Sequence, residues 1–315
     1  MDCEYSIIIC TRNRSGVLRR ALAFHASLDP TYELTHEYIV VDNGSTDTTR
    51  EVVEEFATMV SCPVHYVFEA RAGHSIALNA GCRQAQGTRL IFTDDDTLPF
   101  VNWLRVIHDV FISQGADWVF GPVIPKWEFG PTPVWYGPET SLFLACVNLG
   151  DQVLVNDELT CCFAGANHAC LRSKIFDLGL YDENLGIRGD GQSFAGNDDD
   201  LYRRARQAGL KIVYSPNAGV EHLIAENRYS KKNHRSNSWT VGKNQFRALR
   251  TAPPAGKKWL GIPRYYYAAS ARTFGKYFAA VCLRQKSRAF FQEIQLIRFS
   301  SMLNSAVREF ILRKR

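Results

Sequence analysis

Residues 90–97 read Leu-Ile-Phe-Thr-Asp-Asp-Asp-Thr, and this stretch decides the fold expected for the chain. Its apolar and β-branched start is typical of a buried strand, which then ends abruptly in three adjacent acids. Because side chains alternate along a strand, Asp94 and Asp96 would lie on one side and Asp95 on the other. Two carboxylates that close together repel, which raises the pKa of one of them unless a cation neutralises the pair. The run therefore indicates either a hard divalent metal with oxygen ligands or an acidic turn that needs no metal.

Strands and helices alternate through the first hundred residues. The pattern predicts strands over residues 5–10, 37–42 and 64–68 besides the one that ends at Asp94, and helices over residues 15–28, 48–59 and 75–86. Strands that alternate with helices pair in parallel, so we expect an α/β fold. Ligands of such sheets bind beyond the carboxyl ends of the strands, where Thr11, Asp42 and Asp94 lie. A further strand is predicted over residues 159–163, just before Asn167.

Composition excludes several classes of protein. The chain has 315 residues, of which 46% are apolar and 22% charged, as in an ordinary soluble globular protein. Its nine cysteines include no Cys-x-x-Cys spacing, which favours free thiols over a disulfide framework or a zinc site. We find no signal peptide and no apolar run long enough to span a bilayer, so a cytoplasmic protein is expected.

Charge is distributed unevenly along the chain. Residues 1–225 carry 17 Lys and Arg against 29 Asp and Glu, whereas residues 226–315 carry 20 against 3. Within residues 274–315, apolar residues recur at helical spacing between basic ones, which predicts amphipathic helices with cationic faces. Such helices either dock peripherally on the inner face of an anionic membrane or pack on the protein body with their charges in water. No recognised nucleic-acid-binding motif is present, so no nucleic-acid partner is expected.

A second acidic cluster follows Asn197, where Asp198, Asp199 and Asp200 precede an apolar-periodic segment. Asn197 is a good helix N-cap, and acids in a first helical turn complement the helix dipole, which would explain the cluster structurally. A carboxylate at a helix start beside a metal site is equally well placed to act as a general base. Both interpretations remain open on local grounds.

The order of these motifs carries a more specific signal. From the first strand onward the motifs are Thr11-Arg12-Asn13-Arg14, Val40-Val41-Asp42-Asn43-Gly44-Ser45-Thr46-Asp47, residues 70–81, Thr93-Asp94-Asp95-Asp96, Gly165-Ala166-Asn167, residues 197–201 and residues 209–216. This succession resembles the family 2 glycosyltransferases, whose fold is called GT-A. The resemblance implies a Rossmann-like mixed sheet flanked by helices over residues 1–225, with nucleotide-sugar binding in 1–100 and acceptor binding and catalysis in 101–225. Residues 226–315 lie outside it and are expected to form a basic helical extension.

The resemblance also implies a donor site. Its residues would be Thr11, Arg14, Asp42, Arg71, Gly73, Asp94 and Asp95. Asp42 would recognise the nucleotide base with Thr11 against it, and Arg71 and Gly73 would border the base and diphosphate. Asp94 would contact the ribose.

A divalent ion, Mn²⁺ or Mg²⁺, would be held by Asp96. His222 follows an apparent strand, where many family members have a histidine near the metal or diphosphate. We therefore assign it as a further metal ligand, although a lone histidine is more often an ordinary semi-buried residue.

Asp198 aligns with the catalytic base of the family. The family pattern has Glu before this aspartate, whereas this chain has Asn197, and a register shift by one residue would make Asp199 the base. The implied reaction is an inverting transfer of a sugar from a nucleotide-diphosphate sugar, with UDP favoured, to an acceptor hydroxyl that could be lipid-linked. The alternatives are a sugar-nucleotide pyrophosphorylase, although Thr11-Arg12-Asn13-Arg14 is not its expected glycine-rich loop with a lysine, and a non-catalytic sugar-nucleotide-binding protein.

Overall fold

The computed structural model describes residues 3–28, 34–187, 193–194, 196–251 and 256–312. Within these residues the chain divides into two compact units. The first unit covers Met1–Lys126 and Ala145–Leu223, and the second covers Trp127–Leu144 and Ile224–Arg315. The second unit thus takes residues 127–144 from the middle of the chain, in addition to the whole segment expected as an extension. The functional division at residue 225 remains a prediction.

Strands and helices alternate through most of the described chain. The strands are β1 (Tyr5–Thr11), β2 (His36–Asp42), β3 (Val64–Phe68), β4 (Arg89–Asp94), β5 (Thr97–Pro99), β6 (Trp118–Phe120), β7 (Val123–Lys126), β8 (Leu154–Val155), β9 (Asn167–Leu171), β10 (Gly186–Ile187), β11 (Ser193–Phe194), β12 (Ile212–Tyr214), β13 (Val220–Leu223), β14 (Lys258–Trp259) and β15 (Ile262–Pro263). The α-helices are α1 (Ser15–Ala26), α2 (Thr49–Met59), α3 (His74–Gln84), α4 (Trp103–Gln114), α5 (Arg172–Asp177), α6 (Asn197–Gln207), α7 (Lys231–Thr251), α8 (Arg264–Cys282) and α9 (Lys286–Leu312).

An eight-stranded mixed sheet forms the centre of the first unit, in the order β3-β2-β1-β4-β9-β6-β12-β8. Strands β1 to β4 pair in parallel, and β9 runs antiparallel to both β4 and β6. The predicted α/β class, with a mixed sheet flanked by helices and further helices toward the C-terminus, is confirmed.

The strand predicted over residues 159–163 is wrong, because these residues form no strand and β9 begins at Asn167 instead. Phe163 stacks on the indole of Trp118 with the ring centroids 5.2 Å apart. The apolar side chains of this segment therefore cover the sheet rather than extend it.

Strand β1 lies in the middle of the parallel half, and Ile7, Ile8 and Ile9 are each at most 1% exposed. A strand covered on both faces is expected to be continuously apolar, as this one is. Helix α1 buries Leu18, Ala21, Leu22 and His25, which recur at helical spacing and therefore form one face. Burial of this apolar surface stabilises the layer that positions the strand ends.

The carboxyl ends of the parallel strands meet at one edge of the sheet. Thr11 is in register with Asp42 across β1 and β2, and Cys10 is in register with Asp94 across β1 and β4. A separate three-stranded sheet has the order β5-β13-β7. Its strand β5 follows β4 in the chain, and its strand β13 pairs His222 with Thr97 of β5. The backbone N–H of Leu223 donates to the carbonyl oxygen of Asp96 at 2.8 Å, so β13 brings His222 beside the acidic turn.

The second unit is mainly helical. Helix α9 packs against both α7 and α8, around a core of Phe246, Ile262, Met302 and Ala306. Residues 313–315, the end of the predicted basic segment, lie outside the described residues. None of the helices in the described ranges combines the length and apolar character needed to cross a bilayer.

Asn167 ties two loops of the first unit together. Its amide nitrogen donates to the carbonyl oxygens of Pro122, at 3.1 Å, and Ala218, at 2.8 Å. Gly121 makes this approach possible, because a Cβ atom there would overlap the carbonyl group of Ala218. The backbone of both loops would have to move to admit any larger residue.

We therefore expect Gly121→Ala to destabilise the protein by about 1–3 kcal/mol, as overpacking does elsewhere. Gly16→Ala is the matched control, because nothing lies within 4 Å of the added methyl group in helix α1. It should change the free energy of unfolding by less than about 1 kcal/mol, in the stabilising direction. Urea unfolding of both variants measures the difference, and equal stabilities would contradict the predicted close approach.

Candidate active site

A cavity of about 390 Å³ opens at the carboxyl ends of β1 and β4. Its lining residues are Cys10, Thr11, Arg12, Arg14, Asn43, Gly73, His74, Ala77, Asp94 and Asp95. Five of the seven residues predicted for the donor site are among them. The other two, Asp42 and Arg71, do not line this cavity.

The three acids form the turn between β4 and β5. The hydroxyl of Thr97 donates to the carbonyl oxygen of Asp94 at 2.8 Å, which closes the turn. The turn leaves Asp95 and Asp96 only 2% and 7% exposed. Burial of adjacent carboxylates is unfavourable unless other groups compensate their charge. The structure supplies such groups from distant parts of the chain.

Arg14, in the loop after β1, pairs with two of the three acids. Its guanidinium contacts Asp95 Oδ1 at 2.7 Å and Asp96 Oδ2 at 2.5 Å. The hydroxyl of Thr11 donates to the other oxygen of Asp95 at 2.7 Å. On the far side of Asp96, Nε2 of His222 lies 3.3 Å from Oδ1. Both oxygens of Asp96 therefore contact a basic side chain.

These contacts set the protonation states of the cluster. Burial alone would raise the pKa of Asp96, but His222 and Arg14 hold it well below its usual range. Burial alone would lower the pKa of His222, yet its contact with Asp96 raises it to about 10. Burial raises the pKa of Asp95 to about 7 against the opposing charge of Arg14. Burial and the charge of Asp96 also raise the pKa of Asp94.

Two carboxylates and one imidazole could therefore hold a metal ion at this turn, namely those of Asp94, Asp96 and His222. They do not form a ready-made centre, since no group of three or more metal-ligating side chains in binding geometry occurs among the described residues. A metal ligand histidine must be neutral, whereas the contact with Asp96 keeps His222 protonated. Its assignment as a ligand remains a prediction, and in this structure its contact is an ion pair.

Asp42 and Arg71 lie near the cavity but are engaged in other contacts. The carboxylate of Asp42 is 2% exposed and accepts hydrogen bonds from the backbone N–H of Ser45 and the hydroxyl of Tyr66, both at 2.7 Å. Arg71 is exposed and pairs with Glu69 and Glu183 at 3.2 and 3.0 Å. Their predicted roles toward a nucleotide remain predictions.

Asn43 is a site residue that the sequence interpretation missed. Its amide nitrogen donates to the carbonyl oxygens of Glu69 and Arg71, and its amide oxygen accepts from the N–H of Gly73 at 2.8 Å. These three bonds fix the loop that carries Arg71 and Gly73 to the end of β2. The available signal was a polar side chain directly after a strand and before the turn glycine, Gly44.

Asp198 lies at the start of α6, the second acidic cluster. Its Oδ2 accepts a hydrogen bond from the backbone N–H of Gly165 at 3.2 Å, whereas Oδ1 is buried without a hydrogen-bond partner. Burial and the charge of Asp94 raise the pKa of this carboxylate from 3.8 to about 7. Asp199 is exposed and accepts a hydrogen bond from Sγ of Cys162 at 2.8 Å. The two candidate bases thus differ, since only Asp198 has an unpaired buried oxygen.

The proposal that Asn197 caps this helix is wrong. The N-cap residue is Gly196, which has φ of 117° and cannot make a side-chain cap bond, and Asn197 is the first helical residue. A left-handed backbone favours glycine at that position, and the helix therefore begins one residue earlier than a cap at Asn197 would give. The amide nitrogen of Asn197 is itself buried without a partner.

Comparison with known proteins shows which proteins this chain is similar to. Residues 6–140 match the family model of "Glycosyl transferase family 2". The match covers residues 6–140, which is less than half of the chain. It is 25% identical over 226 residues, 71% of each chain, to the glucosyl-dolichyl phosphate glucuronosyltransferase of Haloferax volcanii. It is also 27% identical over 245 residues to the succinoglycan biosynthesis protein ExoM of Rhizobium meliloti, covering 77% of this chain and 72% of that protein.

Solved structures show the same fold. The mannosyltransferase PcManGT from Pyrobaculum calidifontis, in complex with GDP-Man and Mn²⁺, superposes with a TM-score of 0.63 at 17% identity over 96% of this chain and 88% of its own. GalNAc-T7, solved with UDP, GalNAc and Mn²⁺, gives a TM-score of 0.55 at 18% identity over 81% of this chain and 52% of its own. These are GT-A glycosyltransferases, so the resemblance to family 2 glycosyltransferases, the fold and the enzyme class predicted from the sequence are confirmed.

The raised pKa of Asp198 predicts how stability depends on pH. A carboxylate whose pKa is higher in the folded than in the unfolded state opposes folding once the pH exceeds its unfolded pKa, and fully so above its folded pKa. The unfavourable contribution of Asp198 should therefore grow from about pH 4 to about pH 7. Asp198→Asn removes it, so we expect this variant to be more stable than the wild type by up to about 4 kcal/mol at pH 8 and by clearly less at pH 5.

Urea unfolding at the two pH values measures this difference. Asp199→Asn is the control, because it makes the same substitution at an exposed neighbouring position. If the free energies of unfolding of the wild type and of Asp198→Asn differed by the same amount at pH 5 and pH 8, the burial argument would be contradicted.

Proposed function

We propose that this chain is an inverting, metal-dependent glycosyltransferase that transfers a sugar from a nucleotide-diphosphate sugar to an acceptor hydroxyl. The observation that carries the proposal is the buried, unpaired Oδ1 of Asp198, close enough to Asp94 for its charge to contribute to a pKa of about 7. A general base next to the cavity at the strand ends is the arrangement that sugar transfer to a hydroxyl requires.

The cavity suits the donor. Its lining combines backbone and hydroxyl groups at Thr11 and Gly73 with the guanidinium of Arg14, whose side chain is 43% exposed. Open α/β sheets bind nucleotides at such strand ends. A guanidinium at the cavity wall can bind diphosphate oxygens with two parallel hydrogen bonds. We take a UDP-sugar as the donor, on the basis of the family resemblance.

The residues at the acidic turn fit a divalent ion. Two carboxylates within a few residues supply the oxygen donors that Mn²⁺ and Mg²⁺ prefer, and burial together with the charge of Asp96 raises the pKa of Asp94, so a cation bound there would be stabilising. Both neighbouring structures named above are complexes with Mn²⁺. When bound, such an ion stabilises as a Lewis acid the negative charge that develops on the leaving diphosphate. Arg14 and His222 keep Asp96 ionised and oriented for this role.

Asp198 acts as the general base in this proposal. The amide of Gly165 holds one carboxylate oxygen and leaves the other free to accept the proton of the acceptor hydroxyl. A base with a pKa of about 7 is partly ionised at neutral pH and is still basic enough to assist the attack. A single base opposite the leaving group implies direct displacement with inversion at the anomeric carbon.

For the acceptor we propose a sugar hydroxyl of a glycan or a lipid-linked glycan. Support comes from two relatives whose names refer to a glucosyl-dolichyl phosphate and to succinoglycan biosynthesis. The geometry supports neither of the two alternatives, a pyrophosphorylase or a non-catalytic binding protein. The one feature that favours the non-catalytic protein is Asn197, where the sequence departs from the family pattern. In the non-catalytic case the free oxygen of Asp198 would have no role.

Replacing Asp198 tests the base. We expect Asp198→Asn to lower kcat by about 10²–10⁴-fold, because the acceptor hydroxyl loses its proton acceptor, while the affinity for the donor stays the same. Asp199→Asn, the matched neighbour, should leave kcat within a few-fold of the wild type. Product formation and donor binding by calorimetry are measured for both variants. A larger loss in Asp199→Asn than in Asp198→Asn would assign the base to Asp199.

Metal dependence is tested by thermal unfolding with UDP and with GDP, each in the presence and absence of Mn²⁺. A ligand at a hundredfold excess over its dissociation constant stabilises the folded state by about 2.7 kcal/mol, so Tm should rise when nucleotide and metal are both present. Asp96→Asn should lose most of this rise, since it removes the proposed ligand. Asp157→Asn is the control, as its side chain is 96% exposed. A rise that does not depend on Mn²⁺, or that Asp96→Asn retains, would refute the metal assignment.

A further inference from the structure

Helix α8 carries an apolar stripe on its outer face. Phe274, Phe278 and Val281 follow one another at helical spacing and are 61%, 64% and 47% exposed. Leu283, directly after the helix, is 67% exposed. We call these four residues the α8 stripe. Large apolar side chains scattered singly over a surface are normal, but a contiguous row marks an interaction surface.

The stripe is not needed for packing within the second unit. Helix α8 packs on α9 through other side chains, such as Tyr267, whose ring meets that of Phe299 with centroids 5.3 Å apart. Ala280, between two residues of the stripe in sequence, is 5% exposed and points inward. The helix therefore packs one face into the core of its unit and leaves the apolar α8 stripe in solvent.

Positive charge surrounds the stripe. The sequence from residue 227 to residue 292 contains fifteen Lys and Arg and no Asp or Glu. Arg272 and Lys276 lie on the same helix, and Arg284 and Lys286 follow directly after it, all exposed. None of these four takes part in the ion pairs found among the described residues. Their charges are therefore available to an external partner.

We propose that the α8 stripe is a docking surface for an anionic phospholipid membrane, with the helix lying in the plane of the interface. An amphipathic helix of this kind buries its apolar side chains at the boundary of headgroups and acyl chains, while lysine and arginine contact the lipid phosphates. Helix α8 has 19 residues, which corresponds to a length of about 28 Å in the plane. The long stems of Arg272 and Lys276 can extend from the apolar stripe to the headgroups.

Charge favours this occupant over a second copy of the chain. An isologous dimer through the stripe would bring the same unpaired basic side chains of both copies together, and like charges repel. An anionic bilayer offers both negatively charged headgroups and an apolar interior. The docking does not depend on sugar transfer, so it can be tested without donor or acceptor.

The experiment is co-sedimentation of the full chain with phosphatidylcholine vesicles that either contain or lack phosphatidylglycerol. We expect binding to the anionic vesicles only, and a strong decrease at about 1 M salt, where the screening length falls to about 3 Å. Phe274→Ser with Phe278→Ser should lower the partition coefficient about tenfold or more, because the buried apolar area is lost. Phe68→Ser with Ile112→Ser is the control, since these residues of the first unit are 58% and 61% exposed and lie outside the stripe.

A second pair of variants tests the charges without changing apolar area. Arg272→Gln with Lys276→Gln should also weaken binding to anionic vesicles about tenfold, as each basic residue near the surface contributes to the attraction. Arg50→Gln with Arg105→Gln removes two exposed charges from the first unit and should leave binding unchanged.

Three results would overturn the proposal. They are the absence of binding to anionic vesicles, equal binding by the stripe variant and the wild type, and a dimer in analytical ultracentrifugation that dissociates in the stripe variant without any vesicle binding. Retained transfer activity in the stripe variant on a water-soluble acceptor would separate a failure of docking from a failure of the proposed enzyme activity.

Discussion

Repulsion among three adjacent carboxylates at the mouth of the sheet is the constraint on which the site depends. The turn between β4 and β5 buries two of the three acids, and no residue within the turn carries a positive charge. The compensation comes from Arg14, some eighty residues earlier in the chain, and from His222, more than a hundred residues later. The order of strands in the sheet makes this possible, because it sets the end of β1 beside β4 and pairs β13 with β5. The fold can thus be understood as the means of holding these opposite charges together.

The basic side chains compensate the negative charge of the three carboxylates only in part, and the uncompensated charge can attract a cation. Arg14 and His222 both contact Asp96, and Arg14 also contacts Asp95. Burial and the charge of Asp96 raise the pKa of Asp94, with which neither basic side chain forms an ion pair in the described residues. A site fully neutralised by its own side chains would have little affinity for a further cation. The incomplete neutralisation at Asp94 would therefore suit the proposed metal-dependent transfer, and its unfavourable electrostatic free energy is offset by the apolar core around β1.

Local patterns predicted the parallel half of the sheet well. Strands β1 to β4 and helices α1 to α3 lie within about two residues of their predicted bounds, because continuous apolar runs and helical periodicity depend only on neighbouring residues. The positions of Thr11, Asp42 and Asp94 at one edge followed from the parallel pairing. Pairs distant in sequence could not be predicted, such as Arg14 with Asp96, since they depend on the strand order. Asn43 was missed for the same reason, because its partners lie in the loop after the next strand.

Competition between segments explains two features that local patterns did not predict. Residues 159–163 have the composition of a strand, yet β9 fills the place beside β4 and Phe163 packs on the sheet instead. Likewise, residues 127–144 belong to the compact second unit, where the indole nitrogen of Trp135 donates to the carbonyl oxygen of Tyr229 at 2.9 Å. Neither outcome is encoded in the local pattern, because each is decided by which segment buries more apolar surface at a given place.

The three aspartates at the start of α6 show why a structural and a functional explanation need not exclude each other. Asp200 pairs with Arg203 at 2.5 Å and Arg204 at 2.8 Å, which outweighs the effect of burial and lowers its pKa. It belongs to the helix, where an acid in the first turn also complements the dipole. Asp198, two residues earlier, faces Gly165 instead and has a raised pKa and a free oxygen. A purely structural acid would be expected to acquire partners as Asp200 does. The contrast within one run of identical residues therefore separates the acid that stabilises the helix from the one that we propose for proton transfer.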